Sequence, residues 1–258
     1  MARPNHELTR KIVEAENWFP QSFADVSVRP WGMLFHAPGI PESHDANHAC
    51  ILNHGGQPAV AVQEVISFYG SRGSTPRVNL VASEGDDQES KSALMQAGFV
   101  FEYENAMHVY LHRGPSEVKP NREVIVQTVN ELDVALFEAI AELNCPRVAK
   151  VLQRRLRHEG TRLFVGSVGS QPVSIALLEP VRGLWRVDEV HTHETFRGRG
   201  CARAVIHALV QFFEKSPDTE RPPLYLWTDN PVAERLYAEA GFERLDLPLT
   251  SWISWLKK

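Results

Sequence analysis

The chain has 258 residues, of which 43% are hydrophobic and 23% are charged, and its formal net charge at pH 7 is -5. A chain of this length buries about 70 to 75% of its unfolded surface, so it needs no disulfide or metal to fold, and one large or two small domains are expected. Cys50, Cys145 and Cys201 are odd in number, far apart and without zinc spacing, which is typical of reduced thiols. With no run of eighteen apolar residues and no basic block, we expect a cytoplasmic protein that binds neither a membrane nor nucleic acid.

The first half of the chain alternates between strand and helix patterns. Pro20 ends the first predicted helix, and Gly98 is expected to end the third in a left-handed conformation. Apolar periodicity predicts these elements: a helix at 7–19, strands at 26–35 and 49–52, a helix at 59–69, a strand at 77–83, a helix at 89–97 and two extended segments within 99–112.

A polar segment separates the two halves. Residues 113–121 contain Gly114, Pro115 and Pro120 and have no apolar periodicity. We therefore predict an N-terminal domain at 1–113, a linker at 114–122 and a second domain at 123–258. The second domain is predicted to contain strands at 124–129, 162–168, 173–178, 184–192, 224–228, 242–246 and 252–256, helices at 131–143, 148–158, 203–215 and 231–240, and a loop at 216–223.

A glycine-rich turn joins the strand at 184–192 to the following helix. Its sequence is Arg197-Gly-Arg-Gly-Cys-Ala202. The first amides of a helix have no internal acceptor and the helix dipole is positive there, so the turn suits an anion such as a pyrophosphate. A Rossmann loop is excluded because Arg203 occupies the third glycine position, and no Gly-Lys-Ser/Thr of a Walker loop is present.

Two signatures in this half resemble one protein family. The turn matches Arg/Gln-x-x-Gly-x-Gly/Ala, and residues 225–242 carry a strand, Asn230 at the crossover, Leu236-Tyr237 on a helix and then Gly241-Phe242. Together with the order of elements over 123–258, they resemble the GNAT superfamily of acyl-CoA-dependent N-acyltransferases. The resemblance implies an α/β fold with a mixed sheet. The alternative for Asn230 and Gly241 alone is helix capping, and for the turn an ordinary strand-to-helix connection.

The resemblance also implies a reaction and a set of contacts. A primary amine, expected to belong to a small molecule, would attack the thioester of acetyl-CoA directly, with no metal. The backbone before the turn would pair with the pantetheine arm, the turn would hold the pyrophosphate, and Asn230 would contact the arm. The implied cofactor-binding residues are Val190, His191, Thr192, Arg197, Gly198, Arg199, Gly200, Cys201, Ala202, Arg203 and Asn230.

The general base is expected on the strand that leads into the turn. Strand alternation predicts Glu189 and His191 on one face and Asp188 on the other, and we favour Glu189 over His191. The alternative is that these side chains are solvated or cap a turn. His191, His193 and Glu194 also suggest a metal site, because alternate strand positions bring the two imidazoles together, but no third ligand is identifiable and the resemblance implies no metal.

Two further residues have competing interpretations. Tyr237 is expected beside the leaving sulfur, where a phenol stabilises developing charge, and the alternative is a tyrosine of the core. Cys201 lies at a helix N-terminus, where the pKa of a thiol can fall and make it nucleophilic. We favour a structural role for Cys201 because its place in the motif faces the pyrophosphate through the backbone.

The first half repeats the pattern of residues 224–242 in weaker form. Residues 78–83 and 93–99 give strand, helix and Gly-Phe, and superposing the Gly-Phe pairs puts Leu94 at the place of Tyr237. The loop at 53–58 carries no arginine. We therefore predict a tandem GNAT-like protein with a degenerate first unit that binds no acetyl-CoA; the alternative is an unrelated α/β cap. Other functional alternatives are a non-catalytic acyl-CoA sensor and a scaffold. The oligomeric state stays open, with a homodimer as one alternative.

Overall fold

The computed structural model describes residues 6–53, 55–83, 85, 87–215 and 221–257. His54, in the loop predicted at 53–58, and part of the loop predicted at 216–223 lie outside them. The chain forms two compact units, Met1–Met107 with Leu247–Lys258, called unit 1, and His108–Asp246, called unit 2. No helix in the described part of the chain is long and apolar enough to cross a membrane.

Unit 1 is built on a six-stranded mixed sheet in the order β1-β2-β3-β4-β13-β5. Its core contains buried side chains from the central strands and from the helices that pack against them. Its elements are α1 (His6–Trp18), β1 (Asp25–Arg29), β2 (Gly32–His36), β3 (Ala49–Ile51), α2 (Pro58–Gly70), β4 (Arg77–Ser83), α3 (Gln88–Gln96), β5 (Phe99–Ala106) and β13 (Leu249–Leu256).

Unit 2 is built on a seven-stranded mixed sheet in the order β12-β6-β11-β10-β9-β8-β7. The three strands β8, β9 and β10 are antiparallel, whereas β10 and β11 are parallel. Its elements are β6 (Val109–His112), β7 (Val124–Val129), α4 (Val134–Leu143), α5 (Pro146–Arg155), β8 (Arg162–Val168), β9 (Gln171–Val181), β10 (Leu184–Thr192), α6 (Cys201–Lys215), β11 (Leu224–Trp227), α7 (Pro231–Glu239) and β12 (Phe242–Leu245). The predicted mixed α/β fold is confirmed.

Strand pairing divides the chain differently from the sequence. Strand β6, which we assigned to the N-terminal domain, pairs with β11 and β12 in unit 2. Strand β13, which we assigned to the C-terminal domain, pairs with β4 and β5 in unit 1. The compact units therefore change over near residues 107 and 247, not within 114–122. Backbone hydrogen bonds between strands decide to which unit β6 and β13 belong, and the order of the elements along the chain does not predict those bonds.

One predicted strand is a hairpin. The sequence suggested a single strand at 26–35, but β1 and β2 pair antiparallel around the turn at Pro30 and Trp31. Gly32 follows the turn, and a Cβ at that position would lie only 1.9 Å from the carbonyl oxygen of Cys50. The close approach of β3 therefore requires glycine there. Because proline has no amide hydrogen, Pro30 marks the place where the strand ends.

Candidate active site

The two parallel strands at the centre of unit 2 separate part of the way along their length. Strands β10 and β11 are paired at Trp185 with Leu224 and at Arg186 with Tyr225, and their ladder ends there. Beyond Arg186, the side of β10 that faced β11 has no strand beside it. An opening of this kind leaves backbone amides and carbonyls available to a ligand.

A β-bulge lies in β10 at the start of this opening. In the pairing with β9, three residue steps from Asp188 to His191 match only two steps from Leu177 to Ile175. Glu189, inside the bulge, has a φ of 49°, which is uncommon for a residue other than glycine. The bulge breaks the alternation on which we placed Glu189 and His191 on one face, because it inserts one residue into the strand.

The opening leads into a cavity of about 720 Å³. Its walls are the end of β10, the glycine-rich turn, the start of α6 and one face of α7. Of the predicted site residues, the cavity is lined by Val190, His191, Thr192, Arg197, Gly198, Gly200, Cys201, Ala202, Arg203, Asn230 and Tyr237. Glu189 and Arg199 are not among its lining residues.

The glycine-rich turn brings the backbone to the mouth of the cavity. Gly198 and Gly200 both have a φ of 75°, which glycine adopts at little cost. The side chain of Asn121 donates a hydrogen bond from Nδ2 to the carbonyl oxygen of Arg199 over 2.8 Å and so braces the turn. Helix α6 begins at Cys201, and its first amides supply hydrogen-bond donors for an anion.

The arginines of the turn differ in their surroundings. Nε of Arg197 donates to the carbonyl oxygen of Thr192 over 3.3 Å. The guanidinium of Arg199 stacks on the ring of Phe196, 5.1 Å from its centroid. Arg203 pairs with both carboxylate oxygens of Glu239, with Nη2 2.9 Å from Oε1. The charge of Arg203 is therefore already paired with a carboxylate, whereas Arg197 and Arg199 contact a carbonyl oxygen and an aromatic ring.

Tyr237 lies on the face of α7 that lines the cavity and is 6% exposed. Its ring packs edge to face against Phe242, with the ring centroids 6.1 Å apart. Burial, and then the negative charge of Asp188, raise the pKa of the Tyr237 hydroxyl well above its usual range. Tyr237 thus packs in the core as well as lining the cavity, and its phenol stays protonated at neutral pH.

His191 lines the same cavity from β10. Its Nε2 lies 3.1 Å from the carbonyl oxygen of Leu143, and because a carbonyl only accepts, Nε2 carries the hydrogen of this bond. Burial lowers the pKa of His191, with smaller contributions from the charges of Arg197 and His193, while the bond to Leu143 opposes the change. At neutral pH the ring is therefore neutral and Nδ1 holds a lone pair.

Glu189 is drawn into a buried network of charges. Arg155 of α5 is 1% exposed and pairs with Glu179 of β9 through Nε, 3.0 Å from Oε2. The same guanidinium lies 2.8 Å from Oδ2 of Asp188 and 3.7 Å from Oε1 of Glu189. Arg186 also pairs with Glu179 and Asp188. These five residues, called the buried charge network, fix the bulge to α5 and β9.

The competing interpretations of Cys201 and of the histidines can now be compared with the structure. Cys201 is buried beside Val124 and Ala204, and burial raises the pKa of its thiol while Arg199 opposes the rise. A thiol with a raised pKa is a poor nucleophile. Nδ1 of His193 is hydrogen-bonded to Thr195 Oγ1 over 2.8 Å. Within the described ranges, no three His, Cys, Asp or Glu side chains are gathered to hold a metal.

The sequence analysis missed part of the site. Asn230 caps α7 by accepting from the amide of Val232 over 3.0 Å, as its capping alternative proposed, and also lines the cavity. The helical spacing from Asn230 could have identified the rest of the α7 face, and Phe196 directly precedes the turn in the sequence, whereas Asn121 becomes a neighbour of the turn only through the fold. The additional lining residues are Phe196, Val232, Ala233, Arg235 and Leu236.

Part of unit 2 matches a known protein family. The Acetyltransferase (GNAT) family matches residues 127–242, which contain the opening, the glycine-rich turn and α7. No curated protein matches the chain.

Solved structures resemble the whole chain. A GCN5-related N-acetyltransferase from Kribbella flavida covers 97% of this chain and 95% of its own at 14% identity, with a TM-score of 0.67. A functionally unknown conserved protein from Staphylococcus epidermidis covers 91% and 95% at 14% identity, with a TM-score of 0.62. A tandem GNAT protein from the clavulanic acid biosynthesis pathway covers 99% and 96% at 12% identity, with a TM-score of 0.58. The chain therefore has the fold of a tandem GNAT protein, and its residues 127–242 match the Acetyltransferase (GNAT) family.

Proposed function

We propose that unit 2 is an N-acetyltransferase that moves an acetyl group from acetyl-CoA to a primary amine of a small molecule. The observation that carries the proposal is the single cavity in which the unpaired edge of β10, the glycine-rich turn and Tyr237 meet. The family match alone supports acyl transfer in general. The cavity is our reason for proposing acetyl-CoA as the acyl donor and direct attack by an amine as the reaction.

The residues of the cavity suit acetyl-CoA. On the side of β10 turned away from β9, the backbone between Val190 and Thr192 can hydrogen-bond to an extended amide-containing arm. Gly198 and Gly200 keep side chains away from the amides at the start of α6, where a pyrophosphate is stabilised by the helix dipole. Arg197 adds a positive charge at the same turn. Acetyl-CoA supplies the activated acyl group as a substrate.

The proposed reaction is one displacement at the thioester carbonyl carbon. The amine nitrogen forms a bond to that carbon, the carbon–sulfur bond breaks, and the nitrogen loses a proton to a base. A free amine with a lysine-like pKa of about 10.4 is mostly protonated at neutral pH, so the base is needed. The protonated Tyr237 hydroxyl donates a hydrogen bond to the leaving sulfur; because burial raises its pKa, complete proton transfer is uphill.

Of the two candidate bases, we propose His191 in place of Glu189. His191 lines the cavity and is neutral at neutral pH, with Nδ1 free of the bond that Nε2 makes to Leu143. Glu189 points toward Arg155 in the buried charge network and is not a lining residue. We assign Glu189 to holding the bulge.

The base can be tested with a matched pair of variants. His191→Gln is expected to lower kcat by about 10² to 10⁴-fold and to remove the acidic limb of the kcat/KM–pH profile, which reports the free enzyme and whose midpoint in the wild type lies below the usual range of a histidine pKa. Glu189→Gln is expected to keep that limb. The reverse pattern, with the limb lost only in Glu189→Gln, would return the role to Glu189.

The acceptor class can be tested by measuring CoA release with acetyl-CoA and a panel of polyamines, aminoglycosides, amino acids and peptide N-termini. Tyr237 is almost fully buried where it lines the cavity, so a small flexible amine can approach it more readily than a folded protein surface can. We therefore expect turnover with a small amine. Acetyl-CoA binding without turnover on any acceptor would support the sensor alternative, and no acetyl-CoA binding would reject the proposal.

A further inference from the structure

The end of α1 occupies the place in unit 1 that is open in unit 2. Strands β3 and β4 are parallel and are paired only at Ala49 and Val78. Beyond this pair, the Asn17 side chain donates from Nδ2 to the carbonyl oxygen of Val81 over 2.7 Å and accepts from the Val81 amide over 3.0 Å. One side chain thus satisfies both backbone groups of Val81, as a neighbouring strand would. This edge of β4 is therefore closed to an extended ligand.

A separate cavity of about 320 Å³ remains between α1, the ends of β3 and β4, and the start of α3. Its apolar wall includes Val13, Ile51 and Leu80, and its polar wall includes Arg10 and Asp87. The volume is at the lower end of the range of small-molecule sites. The space suits a molecule with a short aliphatic part and polar ends.

Asp87 is the buried polar group of this cavity. It is 3% exposed, and its Oδ2 accepts from Nε1 of Trp252 and lies 3.0 Å from Nζ of Lys91. Its Oδ1 has no hydrogen-bond partner among the described residues. Asp87 also occupies the N-cap position of α3 without making a capping bond. A buried carboxylate oxygen without a donor is unfavourable, so this atom can accept a hydrogen bond that the described residues do not supply.

The charges around the cavity restrict the kind of ligand that can donate a hydrogen bond to Asp87 Oδ1. Lys91 already balances the charge of Asp87, and Arg10 adds a further positive charge from α1, where it lies 3.9 Å from Glu14 and is largely exposed. A ligand that carries only an ammonium group would meet this cation without compensation. A ligand that carries a donor at one end and an anion at the other satisfies both walls.

We propose that this cavity of unit 1, between α1, β4 and α3, binds a small carboxylic acid that bears an amino or hydroxyl group, with the donor on Asp87 Oδ1 and the carboxylate toward Arg10. The site is distinct from the acyl-transfer cavity, because all its residues belong to unit 1. It gives unit 1, in which the sequence repeat has Leu94 at the place of Tyr237, a binding function of its own. The proposal does not depend on the activity of unit 2.

Four probes with the same branched aliphatic part separate the contribution of the donor group from that of the carboxylate. We would titrate the full chain with L-leucine, L-2-hydroxy-4-methylpentanoate, 4-methylpentanoate and 3-methylbutylamine, and follow binding by NMR. The two acids that carry a donor, or one of them, are expected to bind. The acid without a donor and the amine without a carboxylate are each expected to bind at least about tenfold more weakly. Comparison of the first two probes distinguishes an ammonium from a hydroxyl ligand.

Two variants test the residues. Asp87→Asn retains one oxygen for Trp252 and presents an amide donor in place of Oδ1, so binding is expected to be lost. Arg10→Gln, at an exposed position where folding is not at risk, is expected to weaken binding of the acid about tenfold. Failure of all four probes to bind the wild type at about 10 mM would overturn the proposal, since water would then satisfy Oδ1. Unchanged binding in Arg10→Gln, or in folded Asp87→Asn, would also overturn it.

Discussion

Arg155 Nη2 lies 2.8 Å from Asp188 Oδ2, so a buried guanidinium of α5 holds the last residue of β10 before its bulge. Glu179 and Glu189 contact the same guanidinium. The bulge interrupts the regular pairing of β10 with β9 directly before the residues of β10 that line the cavity. The geometry of the candidate active site therefore depends on charges that lie outside it.

Replacing Arg155 by Met is expected to lower the free energy of unfolding by about 3 to 5 kcal/mol, because it leaves the buried Glu179 and the half-buried Asp188 with one cation fewer. Urea denaturation measures the change. Arg157→Met, at an exposed position on the same segment, is the control and should change stability by less than about 0.5 kcal/mol. A loss in Arg155→Met no larger than in the control would show that the network adds no stability.

The same network predicts a dependence of stability on pH. Burial acts to raise the pKa of Asp188, but the charges of Arg186 and Arg155 outweigh it and hold that pKa well below its usual range. A lowered folded-state pKa contributes stability that is present above the unfolded value of about 3.9 and is lost as the pH falls through the folded value. Denaturation at pH 3 and pH 7 should therefore show a smaller acid loss in Asp188→Asn than in the wild type. Equal losses would contradict the assignment.

Gly198→Asp is expected to weaken acetyl-CoA binding by more than about 1.5 kcal/mol, because a carboxylate would face the pyrophosphate at the start of α6. Gly183→Asp is a matched control. The two glycines have φ of 75° and 74°, and a Cβ at either would have no atom within 4 Å. Isothermal titration calorimetry measures both affinities and should give one acetyl-CoA per chain in the wild type. Equal affinities in the two variants would reject the role of the turn.

Tyr237→Phe is expected to lower kcat by about tenfold to a thousandfold with little change in acetyl-CoA affinity, since the bond to sulfur strengthens as charge develops. Tyr110→Phe is the control, because Tyr110 is also buried in unit 2 but does not line the cavity. Steady-state kinetics measure kcat, and calorimetry measures the affinity for acetyl-CoA. If kcat is unaltered while chemistry limits the rate, Tyr237 is a residue of the core alone.

The strand exchange predicts how the chain can be divided. A fragment of residues 123–258 lacks β6, so β11 and β12 lose the strand between them and β13 loses both its neighbours. We expect it to aggregate through these unpaired edges, whereas a fragment of residues 108–246 retains every strand of its sheet. Gel filtration and thermal melting compare the two. A cooperative melt of the 123–258 fragment equal to that of 108–246 would contradict this account.

The sequence by itself determined the features that depend on near neighbours in the chain. Helix stops at Gly98 and Gly241, both with a φ of 88°, follow from the freedom of glycine to adopt positive φ. The cap at Asn230 and the glycine-rich turn before α6 follow from local hydrogen bonding at helix starts. These signals, in their order along the chain, were enough for the fold and for most of the residues that line the cavity.

Only the tertiary structure decided the features that depend on residues far apart in sequence. The membership of β6 and β13 is set by hydrogen bonds to strands more than a hundred residues away, which no local pattern encodes. The bulge at Glu189 inserts one residue into β10, so the period-two rule failed at the position where we had applied it to choose a base. Arg155 could not be connected to that bulge from the sequence, because a buried ion pair requires the packing that brings α5 against β10.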